Sequence, residues 1–92
     1  MKPRSLLIFY DLAEPGTNRE ALVQKLKSYG KWARLGNGAY MIITDAVPAA
    51  VRDNLAGVLT ANDRIFVGVA PAPSAWQGLP EAVSQWIVAN QE

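Results

Sequence analysis

Cysteine and histidine are both absent from this chain of 92 residues. Without cysteine there is no disulfide and no thiol chemistry, a composition compatible with the cytosol. Without histidine the commonest general base, the usual zinc ligand and the Ser-His nucleophile pair are excluded. An excess of one charge is missing too, since the net charge is +1. No global field announces nucleic-acid binding, so any such contact must come from a local patch. No apolar run approaches the roughly 20 residues that span a bilayer. The start, Met1-Lys2-Pro3-Arg4, has no long apolar stretch and no small-residue cleavage site behind it. The expectation is therefore no secretory signal, no membrane partner and a cytoplasmic location. What is abundant is apolar: 50% of the residues are hydrophobic. That suits one compact domain over residues 1–92. A domain this small buries a modest share of its surface, so association would help to stabilise it.

The stretch Leu6-Leu7-Ile8-Phe9-Tyr10-Asp11-Leu12 organises the rest. A short apolar run bounded by turn signals reads as a strand buried on both faces, here from about Arg4 to Leu12. Glu14-Pro15-Gly16 stops it. Thr17-Asn18-Arg19-Glu20 fits a capping box, followed by a helix from about Asn18 to Tyr29 with Leu22, Leu26 and Tyr29 at helical spacing. Gly30 is placed as its stop. Lys31 to Leu35 reads as a second strand, and Gly36-Asn37-Gly38 as a hairpin loop whose residues tolerate positive φ. The third strand is Ala39 to Thr44. Thr44 or Asp45 is expected to cap a second helix from about Val47 to Leu59, with Pro48 in its first turn and Val51, Leu55 and Val58 facing inward. Arg64 to Ala70 is the fourth strand. A broken segment from Pro71 precedes a C-terminal helix from Pro80 to about Ala89.

This order, β-α-β-β-α-β with an added C-terminal helix, is the α+β ferredoxin-like arrangement. Right-handed crossovers place the first and third strands in the middle of the sheet and both main helices on one face. The strands nevertheless read as apolar on both sides. Phe9, Tyr40 or Met41, Phe66 and a tryptophan would form an exposed patch larger than a soluble monomer usually carries. Two covers are available: the C-terminal helix with Trp76 and Trp86, and a second copy of the sheet. A symmetric homodimer is the expectation.

Five segments resemble a known family: Tyr10-Asp11-Leu12, Leu26 to Trp32, Val51 to Leu55, Asn62 to Val67 and Ala75 to Leu79. Together they resemble the SinR-like small bacterial and phage proteins. Those are grouped with the second CRISPR-associated protein family, the small subunit of the spacer-acquisition complex, and more distantly with VapD-type toxins. The resemblance implies a ferredoxin-like homodimer. In the CRISPR relatives an aspartate ending the first strand pairs with its symmetry mate to hold a divalent metal for phosphodiester cleavage, and Asp11 sits at the matching position. The chain departs from the CRISPR pattern in two places. Its first helix carries only Arg19, Lys25 and Lys27, and Asn37 to Ile42 replace the usual passage into the third strand.

Asp11 is the candidate catalytic and metal-binding residue. A carboxylate at the end of a core strand is costly unless solvated, hydrogen-bonded or bound to a cation. Magnesium prefers carboxylate oxygens and keeps its waters, so Mg²⁺ is the expected cofactor if the protein is a nuclease, with a metal-activated water as nucleophile. One carboxylate per chain is too little, and a two-fold axis would supply the second. The competing reading has Asp11 accepting amides in the turn through Gly16 or capping the nearby helix. Lys25, Lys27, Lys31 and Arg34 are the candidate nucleic-acid contacts, with Trp32 or Tyr29 near enough to stack on a base. The competing reading is a solvated face balanced by carboxylates. Asp53 and Asp63 read as surface or loop groups, Asp63 pairing with Arg64 or Arg52. Two function classes result: a dimeric interaction module binding nucleic acid or protein, and a metal-dependent endonuclease using Asp11 from both subunits.

Overall fold

The computed structural model describes residues 2–14 and 18–91. The apolar run near the start forms β1 (Arg4–Asp11), and six further elements follow it: α1 (Arg19–Lys27), β2 (Lys31–Gly36), β3 (Ala39–Thr44), α2 (Pro48–Ala56), β4 (Arg64–Val69) and α3 (Glu81–Asn90). The strands make one antiparallel sheet in the order β2-β3-β1-β4, so the first and third strands are central, as expected.

Alternation along β1 divides the sheet into two faces. Leu6, Ile8 and Tyr10 point to the helix face, where Leu22 and Leu26 of α1, Val51 and Leu55 of α2, and Tyr40 and Ile42 of β3 complete one buried cluster. Both main helices cover that face. Ser5, Leu7, Phe9 and Asp11 point to the second face. There Ala33 and Met41 are buried, as is Ile87 of α3, which packs against β2. Ala70, just beyond β4, anchors the return: its carbonyl accepts from Ser5 Oγ at 2.6 Å and from Gln91 Nε2 at 2.8 Å. The cover stops short of the β1–β4 side. Phe9 and Phe66, opposite each other in register, stay 49% and 63% exposed.

Local details differ from the sequence expectations for physical reasons. Thr44 and Asp45 do not cap α2. Val47 is its N-cap, no side chain caps it, and Thr44 Oγ1 instead accepts the Ala46 amide at 3.1 Å. The helix ends at Ala56 rather than Leu59, although Val58 and Leu59 still pack on the core. The turn at Asn37-Gly38 uses no left-handed residue; among the described residues only Gly30 and Gly78 have positive φ. Gly38 serves close approach instead. A Cβ there would stand 2.5 Å from the Tyr10 carbonyl oxygen, and the Gly38 carbonyl accepts the Tyr10 amide at 2.8 Å. Gly30, at φ +91°, stops α1 as expected. The Thr17 capping box and the turn through Pro15 and Gly16 lie outside the described residues. Among the described residues no helix is long and apolar enough to cross a membrane.

Candidate functional site

Asp11 closes β1 on the second face of the sheet, exposed and across from Arg64 of β4. Among the described residues its carboxylate accepts no hydrogen bond. The amides of the following turn are answered from another part of the chain. Asp63 accepts from the Ala13 and Thr60 amides and from Asn18 Nδ2, each at 2.8 Å. The same Asn18 Nδ2 donates to the Val58 carbonyl at 2.8 Å. Asp63 therefore joins the turn after β1, the start of α1 and the turn before β4. The bond from the Thr60 amide, then those from Asn18 and Ala13, holds its carboxyl at about 2, below the usual carboxylate range. Asp63 pairs with neither Arg64 nor Arg52; Arg52 bonds its neighbour Asp53 at 3.0 Å. Among the described residues the turn amide that is answered, that of Ala13, bonds Asp63 and not Asp11, and the part of the turn at residues 15–17 lies outside them.

A cleft of about 390 Å³ lies beside Asp11, lined also by Tyr10, Leu12, Arg19, Asn37 and Gly38. Among the described residues no three Asp or Glu side chains converge on a point where a metal could sit. One chain thus brings one carboxylate to this place. A magnesium ion is held by one or two carboxylates together with waters and substrate phosphates. A single chain supplies the minimum of that donor set, and a second carboxylate would have to come from a second chain.

The four candidate basic residues divide among three places. Lys27 and Arg34 come together on the helix face, around a cleft of about 410 Å³ that also includes Arg19, Glu20 and Tyr40. Lys27 Nζ stands 4.9 Å from the centroid of the Trp32 ring, a cation–π contact. Arg34 is held over the hairpin by its Nη2 donating to Asn37 Oδ1 at 2.7 Å. Behind these cations lies a row of rings: Trp32 to Tyr40 at 6.0 Å and Tyr40 to Tyr10 at 6.3 Å between centroids. Burial raises the Tyr40 phenol above its ordinary pKa, nearby Tyr10 adds to the rise, and Arg34 and Arg19 oppose it. The Tyr10 hydroxyl is buried with no hydrogen-bond partner among the described residues. Lys25 lies on the α2 side of its helix, donating to Asn54 Oδ1 at 3.2 Å. Lys31 lines a different cleft with Tyr29, Gly30 and Asp45. In β2 it alternates with Arg34, so the two side chains leave opposite faces.

Arg19 is the addition that sequence reasoning missed. It borders both the Asp11 cleft and the Lys27–Arg34 cleft. Its separation from Arg34 along the chain hides this, and only the packing of α1 over β2 and β3 brings them together. No protein-family model matches the chain, and no curated protein does. A solved structure is similar in fold: a hypothetical protein, TT1823, from Thermus thermophilus. The TM-score is 0.69 and the identity 22%, over 84% of this chain and 93% of that one.

Proposed function

We propose that this protein is a ferredoxin-like, SinR-like homodimer, akin to the second CRISPR-associated family and the VapD-type proteins, that binds nucleic acid without cleaving it. The observation that carries the reading is the cleft of Arg19, Lys27 and Arg34 on the helix face. Three cations converge there in a chain whose net charge is only +1. Against the one carboxylate there, Glu20, such a cluster keeps the local positive potential that phosphates seek, and Tyr40 is the aromatic residue that lines the groove. The element order and the central first and third strands support the ferredoxin-like assignment. The exposed Phe9 and Phe66 support the dimer.

The test is binding of fluorescently labelled single- and double-stranded RNA and DNA across a salt series. Affinity should fall steeply with salt. Arg19→Ala, Lys27→Ala and Arg34→Ala should each flatten the slope by about one phosphate contact, and Lys25→Ala should leave it unchanged. Binding insensitive to salt, or to the three changes, rejects the cleft.

A second reading has one observation in its favour: Asp11 is exposed and accepts no hydrogen bond among the described residues. In that reading the protein is a Mg²⁺-dependent endonuclease, with Asp11 of each subunit contributing a ligand. The metal would polarise the phosphate and lower the pKa of a bound water. Incubation of wild type and Asp11→Asn with the same nucleic acids, with Mg²⁺, Mn²⁺ or EDTA, decides it. Metal-dependent cleavage that disappears in Asp11→Asn carries the nuclease reading. Absence of cleavage by wild type rejects it.

A further inference from the structure

The sheet has two edges, and they are built differently. The β2 edge is guarded by charge and irregularity: Lys31 and Arg34 sit on it, and its register shifts between Arg34 and Gly36. Charges and bulges are the usual devices that keep an edge strand from pairing with another chain. The β4 edge has neither from Ile65 to Val69, and no proline either. Its ladder with β1 runs without a shift from Arg64 to Val69.

The backbone of β4 shows which groups are free. The Ala70 amide donates to the Ser5 carbonyl at 2.9 Å, on the β1 side. Bonding direction alternates along an antiparallel strand, so Gly68 and Phe66 also bond inward. Ile65, Val67 and Val69 then turn their N–H and C=O groups outward, where among the described residues the sheet has no further strand. Beside this row, on the second face, lies Phe66, 63% exposed.

Resting on the homodimer reading above, we infer that β4 pairs antiparallel with β4 of a second copy, about a two-fold axis at Val67. The strand is self-complementary in that register. A two-fold axis normal to the sheet keeps each face with itself, so odd residues meet odd and even meet even. Val67 lies opposite Val67 of the other copy, and Ile65 opposite Val69. All three outward-facing residues fall in exchange pairs, giving about six hydrogen bonds. Phe66 lies opposite Gly68. A Cβ on Gly68 would stand 2.9 Å from the Phe66 ring of its own chain, so that ring leans toward Gly68 and hence toward the axis. The two rings meet there over the two glycines, and surface that a monomer leaves wet is covered. The two Arg64 residues sit at opposite ends of the paired strands, so no like charges face each other.

This pairing bears directly on Asp11, which lies opposite Arg64, three residues from the axis. At ~3.4 Å per residue and ~4.8 Å per strand, the two Asp11 Cα atoms stand about 25 Å apart, too far to share a cation. The edge dimer is therefore a dimer without a joint carboxylate site.

The experiment is amide hydrogen exchange on the wild-type protein, followed by NMR at concentrations above and below dimer formation, with light scattering to read the mass. The expected result is a mass of twice the 10.0 kDa chain at the higher concentration. With it, exchange at Ile65, Val67 and Val69 should slow by at least about tenfold, with no such change along β2. Val67→Pro, which removes an outward N–H, leaves the Phe66 and Gly68 bonds to β1 in place and trims a side chain packed on the core, should weaken dimerisation by about tenfold or more while its far-UV circular dichroism stays that of the wild type. A dimer whose Ile65, Val67 and Val69 amides exchange as they do in the monomer overturns the β4 pairing and leaves the homodimer reading standing. A monomer at every concentration overturns both.

Discussion

At the scale of single residues, Asp63 has the most consequential local part. It accepts three hydrogen bonds, two of them from backbone amides, and its carboxyl is lowered to about 2 from an ordinary 3.8. A depressed folded-state value means that the folded form binds the proton less readily than the unfolded one. The stabilisation is therefore fully present above about pH 4 and is lost as pH falls toward 2. Thermal unfolding followed between pH 5 and 2 should show a drop in Tm across that window. Asp63→Asn should lower Tm at neutral pH and shrink the drop. A variant with the wild-type acid limb would show that other carboxylates govern it. Asp11, by contrast, has a position and no partner among the described residues. The sequence offered Asp11 for turn anchoring and read Asp63 as a surface group paired with an arginine, yet the Ala13 and Thr60 amides are answered by Asp63, the residue that comes before the last strand. That preference was not legible in the chain, because Asp63 meets Ala13 only after β4 has paired with β1.

At the scale of elements, strand and helix positions were largely legible. Runs such as Ala39 to Thr44 and the spacing of Leu22 with Leu26 reflect periods that local backbone geometry imposes. The observed elements depart from the expected spans by a few residues at most. Capping was less legible, because more than one polar residue near a helix start can serve; at α2 none does, and Pro48 at its start has no N–H to satisfy. The part played by α3 is clearer in the structure than in its composition. Ile87 is its one buried residue, seated on the β2 side of the second face. Ile87→Ala should cost about 2–4 kcal/mol, since a buried isoleucine loses both transfer energy and packing. Urea unfolding measures this directly. A loss below about 0.5 kcal/mol would mean that α3 is held by its polar contacts, such as Gln91 to Ala70, rather than by Ile87.

At the scale of the whole molecule, the cationic cleft and the unguarded edge lie apart. Arg19, Lys27 and Arg34 gather over β2 and β3, whereas β4 closes the sheet on its opposite side. Dimer formation and nucleic-acid binding should then be separable. Val67→Pro should keep the wild-type salt slope per chain, read in the same labelled-oligonucleotide assay, while weakening the dimer. A slope that falls along with dimerisation would place nucleic acid across both copies. The absence of histidine and cysteine, the order of elements and the excess of apolar residues on both strand faces were determined by the sequence alone, because each is a property of composition or of local period. Tertiary structure decided what no local period can express. It set Lys27 and Arg34 beside Arg19 and sent Lys31 and Lys25 elsewhere, since facing depends on strand register and helix packing. It gave the turn amides to Asp63. It let α3 cover one half of the second face and leave Phe9 and Phe66 bare, because one short helix cannot span a sheet of four strands.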